Sequence, residues 1–319
     1  IRILVPMYSS LILLLNTMET GRSILITSFI LGITAPPINL SVRPLWKDIV
    51  PESYLRTAYA FDSSMMSSTS VIGPVVITAL SLSSRPALGL GTTAALMFIG
   101  GVALSLTPAS RDWIPEKKEK NQQKLWRDRA IRLLMLEGCF IGFGWGVFDV
   151  AIPAFATQEG VQHRVAWIFA TFGIATVVGG LLGGLVSKRL APLSALRRAY
   201  ILWLIACIPV AFTYPDWSMA LAGACIGFLG GALQVFYFEV LEAVRPKGSQ
   251  TASLGWIWSI EGSFMALGAA VGGLVSEIFS PRIGLAMLPV MIFCGLIILT
   301  IGRGRLSAAN DIPTDEEDL

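Results

Sequence analysis

Glu261 stands near the middle of an apolar run, between Trp258 and Phe264. An ionisable side chain at the centre of a membrane span costs at least about 2.5 kcal/mol on insertion scales, so it faces a cavity or a partner. Two kinds of chemistry fit a carboxyl group there. It exchanges a proton as its surroundings alternate between wet and dry, or it holds a neighbouring helix through Ser or Thr hydroxyls. Asp149 is a second such acid, four residues before Pro153 and downstream of Gly138, Gly142, Gly144 and Gly146. That combination predicts a helix able to bend as a gate, while the four-residue spacing of Gly138, Gly142 and Gly146 equally describes a plain packing seam.

The remaining polar candidates sit nearer the ends of apolar runs. Glu239 and Glu242 lie close to Arg245 and read as boundary charges, and Glu137 reads the same way; Asp62 is placed to cap its run or to pair with Arg56. Gln234, Tyr237, Trp256 and Trp258 are candidates for a polar and aromatic substrate path. Tyr and Trp also anchor helices at membrane interfaces, the reading that suits Trp167 and Trp217.

Other chemistries find little support. His163 is the sole histidine, and Cys139, Cys207, Cys225 and Cys294 each fall inside an apolar run without metal-ligand spacing, so neither a zinc site nor a disulfide is expected. No G-x-x-x-x-G-K-[ST] loop occurs, which removes a nucleotide-driven pump. No clustered acids or nucleophile set marks an integral membrane enzyme. No cofactor is expected.

The elements that must position these side chains are helices in lipid. The chain of 319 residues is 54% hydrophobic and 14% charged, against about 25% charged in soluble domains. Ten apolar runs approach the 20 or so residues needed to span a bilayer: Ile3 to Met18, Ser23 to Val42, Thr57 to Leu82, Ala87 to Leu106, Ile131 to Ala156, Val165 to Val186, Ala199 to Tyr214, Ser218 to Leu241, Thr251 to Phe279 and Ile283 to Ile301. Uninterrupted runs favour helices over barrel strands, so the fold class expected is all-α and polytopic.

Charge sets the orientation. With the start of the chain inside, 20 of the 24 Lys and Arg residues fall on inner segments, leaving Arg22, Arg85, Arg164 and Arg282 outside. The positive-inside rule therefore places both ends in the cytoplasm. The basic stretch from Arg111 to Arg132 admits a lipid-headgroup or nucleic-acid reading, but orientation and solvation account for it, and no nucleic-acid partner is expected. The hydrophilic segment 109–130 reads as a cytoplasmic linker between residues 1–108, with four spans, and 131–302, with six; residues 303–319 form an acidic tail. A sparse internal repeat accompanies this division: Pro51, Thr57, Ala58 and Gly73 match Pro246, Thr251, Ala252 and Gly268, with Thr57 and Thr251 offset by 194 residues. Parallel halves of a transporter would produce such an offset.

Gly183, Leu185, Val186, Ser187, Lys188 and Arg189, followed by Arg197 and Arg198, resemble the signature loop G-x-L-a-D-r-x-G-r-r of the major facilitator superfamily (MFS). Ser187 stands where that family has Asp, and the following glycine is absent. A second stretch, from Arg43 through Trp46, Val50, Pro51, Arg56, Ala58 and Asp62 to Gly73 and Pro74, is similar to the fourth-to-fifth-helix region of bacterial efflux-type members. Gly73 and Pro74 resemble the end of the antiporter motif, with Ser67, Ser68 and Ser70 in place of upstream glycines.

The resemblance implies a two-bundle fold in which the ten spans are helices three to twelve of twelve; Ile1, which is not Met, agrees with two absent helices. It implies Gly268 and Gly272 as packing glycines of the eleventh helix. It also implies a monomer of the cytoplasmic membrane that exports a small organic solute, a drug or metabolite, coupled to protons. An inactive remnant or partial gene product of such a transporter is the alternative.

Overall fold

Three sequence signals start the helices that carry the candidate residues. Asp128 accepts hydrogen bonds from the backbone N–H groups of Ala130 and Ile131, both at 2.9 Å, Asp216 accepts from Ser218 N–H at 2.7 Å, and Ser280 accepts from Arg282 N–H at 3.2 Å. Each satisfies donors that the first turn of a helix leaves open. The computed structural model describes residues 87–112, 124–184 and 191–310, together with isolated positions between 30 and 80.

Eight α-helices and no strand occur among the described residues: α1 Ala87–Leu106, α2 Pro108–Asp112, α3 Arg129–Gln158, α4 Val165–Gly183, α5 Pro192–Cys207, α6 Trp217–Val244, α7 Gln250–Ile278 and α8 Pro281–Ile301. All but α2 are long and apolar enough to cross a membrane, α5 together with the 3-10 turn that follows it, and they correspond to the last seven runs read from the sequence. The first three runs lie outside the described residues apart from single helical positions such as Val42 and Leu80. The chain divides into two compact units, α1 and α2 falling in the first and α3 to α8 in the second.

Two boundaries differ from expectation for identifiable reasons. α5 begins at Pro192 rather than near Ala199, because proline is favoured in a first turn, where no N–H is needed. Arg197 and Arg198 are therefore helical residues. The same helix stops at Cys207 and tightens into a 3-10 turn over Ile208–Phe212, since Pro209 cannot donate the next backbone bond. At the far end of α3, Gly160 adopts φ 70°. Val161 N–H reaches Ala156 C=O at 2.8 Å and Gly160 N–H reaches Thr157 C=O at 3.1 Å, a Schellman closure that needs glycine's left-handed freedom.

Within the second unit the helices associate as two tightly packed pairs, α3 with α7 and α4 with α6; α8 packs chiefly on α3 and α5 on α6. Both pairs are glycine seams. A Cβ at Gly142 would meet the Glu261 backbone, with Cα at 3.0 Å; one at Gly146 would overlap the Met265 carbonyl oxygen and lie 2.7 Å from Ala269 N. From the other side, a Cβ at Gly268 would lie 2.9 Å from Phe143 Cα and one at Gly272 2.9 Å from Val147 Cα. Between α4 and α6, Gly183 would meet Ala232 Cα at 2.8 Å, and Gly227 and Gly231 face Phe172 and Thr176. Lipid tails are as apolar as leucine, so close backbone packing replaces burial from water as the force joining these helices. The outer surface agrees: Ile201, Leu202, Ile205, Leu274, Ile278, Val290 and Phe293 are exposed.

Gly146→Ala is expected to lower the thermal unfolding midpoint in detergent, at a cost of about 1–3 kcal/mol for overpacking, whereas Gly262→Ala, with no atom within 4 Å of the new methyl, leaves the midpoint unchanged or raises it. Asp216 is held below its ordinary carboxylate value of 3.8 by its bonds to the Ser218 side chain and backbone. A depressed folded-state value contributes stability that is complete above about pH 5 and lost as pH falls through the acid range. Melting followed from pH 7 to pH 3 should therefore show a smaller acid loss in Asp216→Asn than in the parent chain.

Candidate functional site

The apolar core of α3 repeats at Leu134, Ile141, Phe148 and Phe155, with Gly144 and Ala151 between, all of them buried. Glu137 occupies the same stripe. It is 3% exposed, accepts a hydrogen bond from the Tyr200 hydroxyl of α5 and is also bonded by the Tyr237 hydroxyl of α6. The expectation that Glu137 is a boundary charge is thus corrected: proximity to Arg132 in sequence placed it at an end, but the helix runs from Arg129 and carries it inward. The signal that finds it is its register with the buried stripe.

Glu261 of α7 lies directly across the seam. A Cβ at Gly138, next to Glu137 in the chain, would stand 3.8 Å from Glu261 Cβ. The two carboxylates interact electrostatically, and Tyr237 feels both. Glu261 is half-buried, and no Ser or Thr hydroxyl among the described residues hydrogen-bonds it.

Aromatic rings fix the tyrosine behind Glu137. Tyr200, 1% exposed, meets Trp203 edge-on with centroids 5.8 Å apart. Trp203 donates its indole N–H to Ile226 C=O at 3.0 Å and packs on Trp145 at 5.7 Å, which in turn meets Phe148 and Phe172 at 5.6 Å. On the other side Tyr237 and Phe238 are 6.1 Å apart and Phe238 meets Trp258 of α7 at 6.5 Å. Tyr237 therefore joins the carboxylate cluster, and Trp258 meets Phe238 beside it; Gln234 is exposed on α6.

The other candidates are placed apart. Asp149 is exposed, about three turns beyond Gly138 on nearly the same face of α3. Pro153 leaves its backbone carbonyl without the usual donor four residues on, yet the helix continues to Gln158. Glu239 is half-buried on α6 and has interacting partners. Glu242 receives the Arg245 guanidinium, whose Nε donates at 2.7 Å; the Arg245 side chain is only 7% exposed, and the pair sits at the C-terminal end of α6. Asp62 is buried with partners of its own. Gly73 has no neighbour within 4 Å of a Cβ. Pro74, Leu185, Ser187, Lys188 and Arg189 lie outside the described residues, while Gly183 packs on α6. No group of three potential metal ligands occurs among the described residues.

The sequence pattern of the Major Facilitator Superfamily matches residues 3–162, half of the chain. The chain belongs to this superfamily. An uncharacterized MFS-type transporter, YtbD of Bacillus subtilis, is 28% identical over 215 residues, covering 62% of this chain and 52% of the relative. Macrolide efflux protein A of Streptococcus pyogenes is 24% identical over 268 residues, 78% of this chain and 63% of that protein. The chain thus spans between half and two thirds of the length of these relatives.

Among solved structures, the human organic anion transporter MFSD10 (TETRAN) superposes with a TM-score of 0.66 at 13% identity, over 93% of this chain and 76% of that one. A bacterial homolog of the human lysosomal transporter Spinster, inward-facing and unoccupied, gives 0.51 at 15%, over 97% and 82%. At these identities the likeness is one of fold alone. Helix-only architecture, membrane-crossing helices and this fold agree with the sequence reading; all four named proteins are transporters or an efflux protein.

Tyr200→Phe removes a donor from a buried carboxylate, and is expected to cost about 1–3 kcal/mol of stability in thermal melting. Tyr214→Phe, which breaks only the exposed 2.6 Å bond to Glu159, should change the melting midpoint less.

Proposed function

We propose that this MFS chain is part or all of a secondary transporter that exports a small organic solute in exchange for protons, its two helical units opening alternately to either side of the membrane. The observation that carries the reading is the position of Glu261: a half-buried carboxylate in the span Thr251–Ile278, against the α3 backbone, with no Ser or Thr bond among the described residues to make it structural. An acid at that depth is retained for exchange with a solvated pathway. The efflux relative supports the outward direction, and the superfamily supports transport over catalysis. The Lys and Arg distribution supports a cytoplasmic-membrane location with both ends of the chain inside and residues 109–130 as a cytoplasmic linker between bundles. The working unit proposed is a monomer, with the bilayer, the solute and protons as its partners. Asp149, Gln234, Tyr237, Glu239, Trp258 and Asp62 remain proposed path residues.

Everted vesicles from cells expressing the chain, given a radiolabelled macrolide as probe, should accumulate it when a proton gradient is imposed. A protonophore should abolish the accumulation, and Glu261→Gln should reduce it severalfold with expression unchanged. Accumulation equal in Glu261→Gln and parent would remove Glu261 from the coupling step; none in either, across a panel of solutes, would end the export reading.

A further inference from the structure

The carboxylate facing Glu261 is not a second entry point for protons but a sealed one. Glu137 lies behind the α3–α7 seam at 3% exposure, with Tyr200 at 1% behind it and Tyr237 beside it. Glu261, half-buried, closes the side from which another carboxyl group interacts with it. Among the described residues, no cation forms an ion pair with Glu137 or Glu261. α4 has no titratable side chain; α5 presents Tyr200 and carries Arg197, half-buried one turn before it with its Nε unbonded, and exposed Arg198; α6 presents Tyr237 and carries half-buried Glu239 and the Glu242–Arg245 pair; α7 presents Glu261 and carries exposed Glu277. α8 carries Cys294 and, at its opposite end, Arg282; Arg303 and Arg305, in the turn that follows, are exposed. On α3 itself, Cys139 interacts with Glu137, and Arg132, five residues earlier, points about 140° away around the helix.

Two carboxyl groups in one dry site, with tyrosine hydroxyls as the donors and no positive partner among the described residues, do not ionise independently. We infer that Glu137 and Glu261 form one proton-sharing pair, with Tyr200 and Tyr237 as the positioning residues that hold its buried member. Glu261 is the member that meets a solvated path, and Glu137 is the fixed member whose charge state follows it. A glycine makes the arrangement possible: with a side chain at Gly142, the Glu261 backbone would stand away from α3 and the pair would separate. The inference deepens the export proposal and rests on its assignment of Glu261 as the exchanging group.

The test needs no cargo. The 319-residue chain, reconstituted in phosphatidylethanolamine and phosphatidylglycerol vesicles, is titrated with protons alone while the carbonyl stretch of protonated carboxyl groups is followed by infrared spectroscopy. The double variant Glu137→Gln with Glu261→Gln supplies the baseline. A sharing pair gives two steps in the parent chain, separated by more than about one pH unit and flanking the single step of either Gln variant. A parent curve equal to the sum of the two single-variant curves overturns the pairing.

Tyr200→Phe, which keeps both carboxyl groups, should change the separation of the parent steps. Tyr214→Phe, which breaks an exposed hydroxyl–carboxylate bond away from the pair instead, should leave it alone. No change in Tyr200→Phe, or equal change in both, overturns the positioning role. Additive titration with working efflux ends the pair and leaves export standing; coupled titration without efflux ends export and leaves the pair.

Discussion

The close approach of α3 and α7 is the contact on which the rest of the second unit depends. In hydrocarbon there is no gain from burying leucine against leucine, so two helices stay together only where their surfaces fit at short range. Gly142 and Gly146 on one side and Gly268 and Gly272 on the other remove the side chains that would hold the backbones apart. The same absence of side chains brings Glu261 over the turn of α3 that carries Glu137. Packing and polar chemistry are therefore one feature: a carboxyl pair exists because a seam exists.

A seam of this kind creates a requirement of its own. A buried carboxyl group without partners is costly, and the donors come from two other helices, Tyr200 on α5 and Tyr237 on α6. Tyr200 is in turn set by the stack of Trp203, Trp145, Phe148 and Phe172, which reaches α4. Five of the six helices of the unit thus contribute to holding one acidic side chain, while α8 fills the remaining side of α3 with Leu285, Leu288, Ile292 and Leu299. At the ends, where water returns, simpler devices suffice. Asp128, Asp216 and Ser280 cap helices, and Glu242 pairs with Arg245.

The fold links this chain to transporters that share little of its sequence. At 13% identity, superposition on MFSD10 covers nearly the whole chain. The residues that differ most in consequence are the few polar ones. An MFS bundle with Glu137 and Glu261 in its core differs chemically from one without them, however closely the backbones agree.

The sequence by itself determined the helical membrane class, six of the seven described spans within a few residues, and the superfamily. Each follows from composition, run length or local motif, which act over neighbouring residues. It also marked Glu261 as an acid in lipid and Gly138, Gly142 and Gly146 as small residues on one face. Only the tertiary structure decided that Glu137 belongs with Glu261. Their partnership spans 124 positions, so no local spacing encodes it; the nearby Arg132 suggested an end of a span, and the buried stripe of α3 overrode that suggestion. Tyr200 as a ligand of a carboxylate, the glycine seam between α4 and α6, and the separation of Asp149 from the cluster were decided in the same way, because helix pairing rather than sequence distance determines which polar groups must satisfy one another.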